Sequence, residues 1–224
     1  IGLLTTVQYL YLMEDVRKFL DSKGKIVFIG KGSTKPETSA SSKGQKETVT
    51  QSNAKYAGQI LGCDHGAATS IEGRVDAFLF MGTGRFHALG LLAATSKPVL
   101  FLDLENKRLE DITPERERME RIRFANIEKA KDCRDFGILV STKPGQAGTS
   151  RLRGQTGLGA ALEAKGRLEA KGRQAWILAM DAITPEKLIG LKLDCLVNCA
   201  CPRLTDDAAQ FKKPIIGPED VDKL

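Results

Sequence analysis

The sequence lacks the long apolar runs and the leader that mark membrane and secreted proteins. Nowhere do about 20 consecutive apolar residues occur, the length that a membrane-spanning helix needs. The apolar opening at residues 1–12 has no basic segment and contains Gln8, so we expect no secretory signal peptide. The 5 cysteines, an odd number, therefore predict a cytoplasmic protein whose thiols serve as ligands or core residues.

Two familiar ligand-binding spacings are also absent. A structural zinc site would show Cys-x2–4-Cys pairs, whereas the one close pair is Cys199-Ala200-Cys201, with His65 and His87 far away. Residues 31–34 read Lys-Gly-Ser-Thr, but the phosphate-loop spacing Gly-x4-Gly-Lys-Ser/Thr is missing. The excess of 34 basic over 28 acidic residues is mild, so we expect an ordinary solvated surface and no direct nucleic-acid binding.

The chain contains an internal repeat of short apolar segments separated by helix-forming sequence. The repeated segments are residues 3–6, 23–27, 75–81 and 97–100 in the first half, and 139–142, 171–178, 193–199 and 213–216 in the second. Alternating strands and helices imply a parallel sheet covered by helices. The sequence therefore predicts an α/β protein of two repeated Rossmann-like domains, with parallel sheets flanked by helices.

Helical segments are expected at residues 10–22, 86–96, 113–131 and 155–170. The third has the clearest start, because Thr113 suits the N-cap and Pro114 the first helical position. Its candidate buried positions are Met119, Ile122 and Ile127. We interpret this helix as the connection between the halves, which predicts domains at residues 1–130 and 131–224.

The first half carries an insertion at about residues 31–55 that the second half lacks. Its early part is rich in Ser, Thr, Gly and Lys and has almost no apolar side chain. Such a segment buries too little surface to offset its chain entropy. We therefore expect a mobile loop.

The cysteines fall into different positions relative to the predicted strands. The repeat places Cys195 inside a strand, Cys199 at its end and Cys201 in the loop that follows. Ligands of parallel sheets bind beyond the carboxyl ends of the strands, so Cys201 is the best placed of the three. Cys63, between Gly62 and polar residues beyond an apolar run, is a second loop thiol. Core packing remains the alternative for each cysteine, and Cys133 is given no function.

Two further loops follow strands at the same predicted edge. Gly82 and Gly84 let the backbone approach a ligand, and the helix that begins nearby, with His87, offers an anion site. Lys143, in the loop that ends at Gln146, has the charge to hold a carboxylate. The alternatives are ordinary strand-to-helix turns, with His87 in a capping or packing role.

Four motifs occur together in the order found in a known enzyme family. They are Gly-Gln-Ile-Leu-Gly-Cys at residues 58–63, Phe-His-Ala-Leu-Gly at 86–90 with Ala-Thr-Ser-Lys-Pro-Val-Leu at 94–100, Gly-Ile-Leu-Val-Ser-Thr-Lys-Pro-Gly-Gln at 137–146, and Asn-Cys-Ala-Cys-Pro-Arg at 198–203. With these motifs the chain resembles the archaeal diphthamide synthase of the first pathway step. It looks like the second and third of that family's three repeated domains.

The resemblance implies a specific chemistry. Three cysteines, one per domain, hold a [4Fe-4S] cluster to which S-adenosylmethionine binds, and its sulfur to γ-carbon bond is cleaved. The 3-amino-3-carboxypropyl group is then transferred to a histidine of translation elongation factor 2. By motif, Cys63 and Cys201 are cluster ligands, and the family is a homodimer. Because their loops share the strand-end edge, we expect the S-adenosylmethionine site to include Gly82, Gly84, His87, Lys143, Gly145 and Gln146.

Three departures from the family pattern leave a second reading open. The first domain and its cysteine are not in these 224 residues, Cys199 stands where the motif more often has Thr, and Ala88 where it more often has Pro. The alternative is a non-catalytic partner or structural module that docks the elongation factor without a complete cluster site.

Overall fold

The computed structural model describes residues 1–32, 54–62, 64–143, 157–201, 204 and 208–224, which form two compact units, 1–116 and 117–224. The first contains β1 (Gly2–Thr5), α1 (Met13–Ser22), α2 (Gly66–Thr69), β2 (Phe78–Gly82), α3 (Phe86–Ala94), β3 (Val99–Asp103) and β4 (Arg108–Asp111). Helix α4 (Glu115–Lys131) is followed by β5 (Asp135–Ser141), α5 (Gly157–Ala170), β6 (Gln174–Met180), α6 (Pro185–Leu188), β7 (Cys195–Asn198), α7 (Ala208–Phe211) and β8 (Ile215–Ile216). The predicted α/β class, with parallel sheets flanked by helices, is confirmed.

The first sheet has the strand order β1-β2-β3-β4. β2 is buried along its whole length, as expected for a central parallel strand whose two faces are both covered. Helix α1 packs with Met13 against Leu3, Leu79 and Met81 on one face. β4 departs from the all-parallel prediction, because it returns antiparallel to β3 after a turn in which Asp103 accepts backbone hydrogen bonds.

The strand predicted at residues 23–27 does not form as one continuous strand. Phe28 bridges Gly2 at the start of β1, and Gln59 bridges Thr5 at its end, both in parallel. The insertion at about residues 31–55 thus divides one edge strand into two short contacts, which explains why no continuous strand forms. Most of that insertion, and with it the predicted mobility, lies outside the described residues.

The second sheet is fully parallel, with the order β6-β5-β7-β8. Side chains of β5 alternate between its faces: Phe136, Ile138 and Val140 pack with α5, whereas Leu139 packs on the other side. The face toward α5 also receives α4 and the 3-10 turn Pro218–Lys223. The opposite face is covered by α6 and α7. The central strands β5 and β7 are therefore buried, whereas the edge strand β6 keeps Trp176 43% exposed. As in other parallel sheets, the carboxyl ends of the strands are the expected place for a site.

The boundary between the units falls at the start of α4, whereas the sequence placed it at the other end, near residue 130. The reason is packing, since Ile127 and Ala130 belong to the core of the second sheet. The helix also begins at Glu115, one residue after the predicted start at Pro114, and the Thr113 hydroxyl accepts the Val99 N–H. Ile122, predicted as buried, is 45% exposed. Within the described residues, no helix is both long and apolar enough to span a membrane.

Candidate functional site

The loop between β2 and α3 exposes backbone at the carboxyl end of the first sheet. Gly84 has φ +68°, a conformation that side-chain-bearing residues rarely adopt, and a Cβ built there would meet nothing within 4 Å. Gly82 ends β2, and a Cβ there would lie 2.9 Å from the Phe80 ring. A ligand can therefore approach the main chain at Gly84 without a side chain in its path.

Arg85 of this loop and His87 in the first turn of α3 both contact other side chains of the protein. Arg85 lies 3.7 Å from Glu110 and 3.3 Å from Glu115. The His87 ring stacks on Phe80 with centroids 6.2 Å apart and meets the Phe86 ring edge-on at 4.9 Å. The half-buried His87 thus packs within an aromatic cluster, and its contact with a ligand stays a prediction.

The segment next to position 63 is fixed at the same edge of the first sheet. Ile60 donates to the Thr5 carbonyl at 2.9 Å, and Leu61 and Asp64 exchange backbone hydrogen bonds. A Cβ on Gly62 would lie 2.5 Å from the Phe86 ring, so this chain segment touches the start of α3. Cys63 itself lies outside the described residues. Its described neighbour Gly62 lies against Phe86, at the start of α3.

Two side chains that the sequence did not single out hold this segment in position. The buried Gln59 accepts the backbone N–H groups of Lys55 and Tyr56 at 3.0 and 3.1 Å. Asp64 accepts the Gly66 N–H at 2.9 Å at the start of α2. Asp64 is a short polar residue beside glycines, which is a sequence signal for side-chain capping of a turn, whereas Gln59 gives no such signal.

The second unit separates its cysteines by burial. Cys195 is fully buried in β7, and its thiol donates to the Pro214 carbonyl at 3.4 Å. Cys199 is 4% exposed, and burial, followed by the nearby Glu219 carboxylate, raises the pKa of its thiol to about 12. Cys201 is partly exposed. Since metal ligation needs a thiolate, the described geometry favours Cys201 over Cys199 and Cys195.

Asn198 organises the loop that carries Cys201. Its side-chain amide donates to the Cys201 carbonyl at 2.8 Å, and its oxygen accepts the Ala200 N–H at 3.1 Å. Leu204 also donates to the Cys201 carbonyl, at 3.0 Å. An asparagine at the end of a strand commonly closes such a turn, although only the structure shows which atoms it joins.

Lys143 lies at the same edge of the second sheet as Cys201. It is exposed two residues beyond β5, and its N–H donates to the Ser141 hydroxyl at 3.3 Å. β5 is paired with β7, with Leu139 opposite Asn198, so both loops leave neighbouring strand ends. Gly145 and Gln146 lie outside the described residues, and their predicted roles cannot be placed. Among the described residues, no three His, Cys, Asp or Glu side chains gather as a metal site.

Comparison with known proteins identifies the family. The family model described as "Putative diphthamide synthesis protein" matches residues 1–223. The 2-(3-amino-3-carboxypropyl)histidine synthase of Pyrococcus horikoshii is 34% identical over 98% of this chain and 55% of its own length. Subunit 1 of the Caenorhabditis elegans synthase is 30% identical over 72% of this chain and 39% of its own.

A solved structure agrees with these matches. The crystal structure of Dph2 from Pyrococcus horikoshii with a 4Fe-4S cluster superposes with a TM-score of 0.78 at 32% identity, covering 99% of this chain and 56% of that one. The chain thus spans about half the length of the archaeal relative that it matches. On the family match along nearly its whole length, the chain belongs to the diphthamide synthesis family.

Proposed function

We propose that the protein to which this chain belongs transfers a 3-amino-3-carboxypropyl group from S-adenosylmethionine to a histidine of translation elongation factor 2. We place it in the cytoplasm, as a homodimer, with a [4Fe-4S] cluster as its cofactor. The observation that carries the proposal is the 34% identity, over 98% of the chain, to a 2-(3-amino-3-carboxypropyl)histidine synthase. The related crystal structure contains a 4Fe-4S cluster, which supports the cofactor.

One described thiol, that of Cys201, fits the donor set of such a cluster. Iron-sulfur clusters are held by cysteine thiolates, and Cys201 is partly exposed in a turn at a strand end. Cys199 and Cys195 are buried among apolar side chains and have raised pKa values, so they suit the core. When bound, the cluster supplies an iron position for S-adenosylmethionine and the electron that breaks its sulfur to γ-carbon bond.

The other residues of this chain bind and orient the ligands. Cys63 is the second cluster ligand, because its described neighbours Gly62 and Asp64 lie at the strand-end edge of the first sheet. Gly82 and Gly84 offer backbone to S-adenosylmethionine, with His87 beside them. Lys143, with Gly145 and Gln146, supplies the positive charge that suits the carboxylate of the methionine end. The third cluster cysteine comes from an upstream segment or from a second protomer.

Anaerobic reconstitution of the full gene product tests the proposal. Iron counting and electron paramagnetic resonance should show one [4Fe-4S] cluster in the wild type, and Cys201→Ala and Cys63→Ala should each lose it. Cys199→Ala is the matched control, because it removes a thiol two residues from Cys201 and should retain the cluster. A wild-type protein without a cluster, or a Cys201→Ala protein with an unchanged spectrum and activity, would contradict the proposal. The first result would favour a docking module of the elongation factor.

A further inference from the structure

The turn after β1 is tied to the end of β2 by two successive side-chain hydrogen bonds. The buried Thr5 hydroxyl donates to the Met81 carbonyl at 2.8 Å. In the loop that follows β2, the Tyr9 hydroxyl donates to the Thr83 hydroxyl at 3.3 Å. The first bond belongs to the core. The second lies at the surface, on the loop that exposes Gly84.

The loop is therefore held from both of its sides. Tyr9 holds Thr83 from the turn after β1, and Glu110 and Glu115 hold Arg85 from the opposite end. Gly84 lies between these two attachments in a positive-φ conformation with open space around it. Because glycine is conformationally permissive, such a loop needs outside contacts to keep one geometry.

The residue of the second unit that is equivalent to Thr83 is the proposed cluster ligand Cys201. The sheets pair Phe78 with Val99 and Leu196 with Ile215, so Phe78 and Leu196 hold equivalent positions in the two units. Five residues further along each chain segment, Thr83 is the equivalent of Cys201. The tyrosine thus acts on the first unit's counterpart of the proposed cluster cysteine. No charged side chain is involved, so the contact sets geometry rather than charge.

We propose that Tyr9 is a positioning residue for S-adenosylmethionine, which fixes the Thr83–Gly84 backbone in the conformation that receives the ligand. This inference rests on the proposed function. Tyr9 does not contact the reacting atoms. Loss of its hydrogen bond lowers the fraction of molecules whose loop has the binding-competent conformation. The loss is therefore in affinity rather than in the rate of the bound complex.

The test uses the full gene product with its cluster reconstituted. Tyr9→Phe should raise the Kd and KM for S-adenosylmethionine about 3- to 10-fold, the size of one lost hydrogen bond, and leave kcat and the cluster spectrum unchanged. Thr83→Val should give the same change, and the double variant should be no worse than either single one. Thr83→Ser keeps the hydroxyl and should restore wild-type affinity. Tyr11→Phe removes a hydroxyl two residues away from a side chain that is 73% exposed, and serves as the control.

The possible failures can be told apart. If the wild type binds S-adenosylmethionine and Tyr9→Phe binds it equally well, the positioning role is wrong and the proposed function stands. If Tyr9→Phe lowers the melting temperature and kcat but not the affinity, the contact is structural and the inference is again wrong. A wild type that holds no cluster and binds no S-adenosylmethionine overturns both proposals.

Discussion

Arg123 of α4 forms a two-pronged ion pair with the buried carboxylate of Asp220. Nε donates to Oδ2 at 2.8 Å and Nη2 to Oδ1 at 2.7 Å, while the Asp220 side chain is 1% exposed. Lys223 adds a third contact, 2.9 Å from Oδ1. This cluster attaches the C-terminal 3-10 turn to α4. Arg167 of α5 binds the same turn through Asp222 and the Pro218 carbonyl.

Replacing Arg123 should therefore destabilise the second unit. Arg123→Met keeps most of the apolar stem but leaves a buried carboxylate with Lys223 as its remaining cation. We expect a loss of about 3 kcal/mol in the free energy of unfolding, measured by urea titration. Arg121→Met is the matched control, because Arg121 lies 73% exposed in an i,i+4 pair with Glu117 and should change stability by about 0.5 kcal/mol or less. Equal losses in the two variants would contradict this role of the pair.

The same carboxylate should make stability depend on pH. Burial alone would raise the pKa of Asp220, but hydrogen bonds from Arg123 and Lys223 outweigh it and lower the pKa below the ordinary 3.8. The stabilisation from this group is therefore complete above its ordinary pKa and is lost as the pH falls below it. Urea titrations between pH 6 and pH 3, values chosen to bracket that range, should show a fall in stability that is shallower in Arg123→Met. A steeper or identical fall in the variant would contradict the predicted role of the Arg123–Asp220 pair.

Thiol chemistry should distinguish the cysteines of the second unit. In the native protein without cluster, a maleimide at pH 8 should label Cys201 well before Cys195 or Cys199. Burial limits access to both, and a pKa of about 12 leaves only about one part in ten thousand of the Cys199 thiol ionised at that pH. Peptide mass spectrometry after a time course gives the rates, and labelling in urea should make the three equal. Comparable native rates for Cys199 and Cys201 would remove the argument for Cys201 as the available ligand.

The fold class could be predicted because the strand pattern is clear. The alignment of β1 with β5 between the two halves of the repeat was wrong by one residue. The repeat matched Leu3 with Leu139, whereas the sheets pair Leu3 with Leu79 and Ile138 with Val197, a displacement of one residue. β1 and β5 are apolar on both faces, so their sequences lack the apolar-polar alternation that would fix the register.

The signal that fixes this register was present in two glycines. A Cβ on Gly2 would lie 2.5 Å from the Phe78 ring, and one on Gly137 would lie 2.7 Å from Leu193. Each glycine makes room for a large side chain, from β2 at Gly2 and from the segment before β7 at Gly137, and aligning Gly2 with Gly137 gives the observed pairing. The divided edge strand could not be predicted in this way. The two pieces at Phe28 and Gln59 are far apart in sequence, and each makes a single bridge.

The sequence predicted which loops form the candidate site, but not the side-chain contacts within them. Parallel strands direct their following loops to one edge, which placed Lys143 and Cys201 together from sequence alone. The roles of Asn198 and Gln59 were not predicted, because both side chains act through hydrogen bonds to backbone groups. Those partners depend on the folded turn.

Gly62 is the residue whose replacement should most directly disturb the neighbourhood of Cys63. A methyl group there would lie 2.5 Å from the Phe86 ring, closer than real contacts allow, so the ring or the segment must move. We expect Gly62→Ala to cost about 1–3 kcal/mol in the free energy of unfolding by overpacking. In the reconstituted full gene product, it should also lower the iron content, because the segment that carries a proposed ligand is displaced.

Two further variants separate crowding from a general effect of the substitution. Gly73→Ala adds the same methyl where nothing lies within 4 Å, so both stability and iron content should stay at wild-type values. Gly62→Ala combined with Phe86→Leu shortens the side chain that the methyl meets and should recover part of the lost iron content. If the double variant is no better than Gly62→Ala alone, the contact between Gly62 and Phe86 is not what holds this segment at the sheet edge.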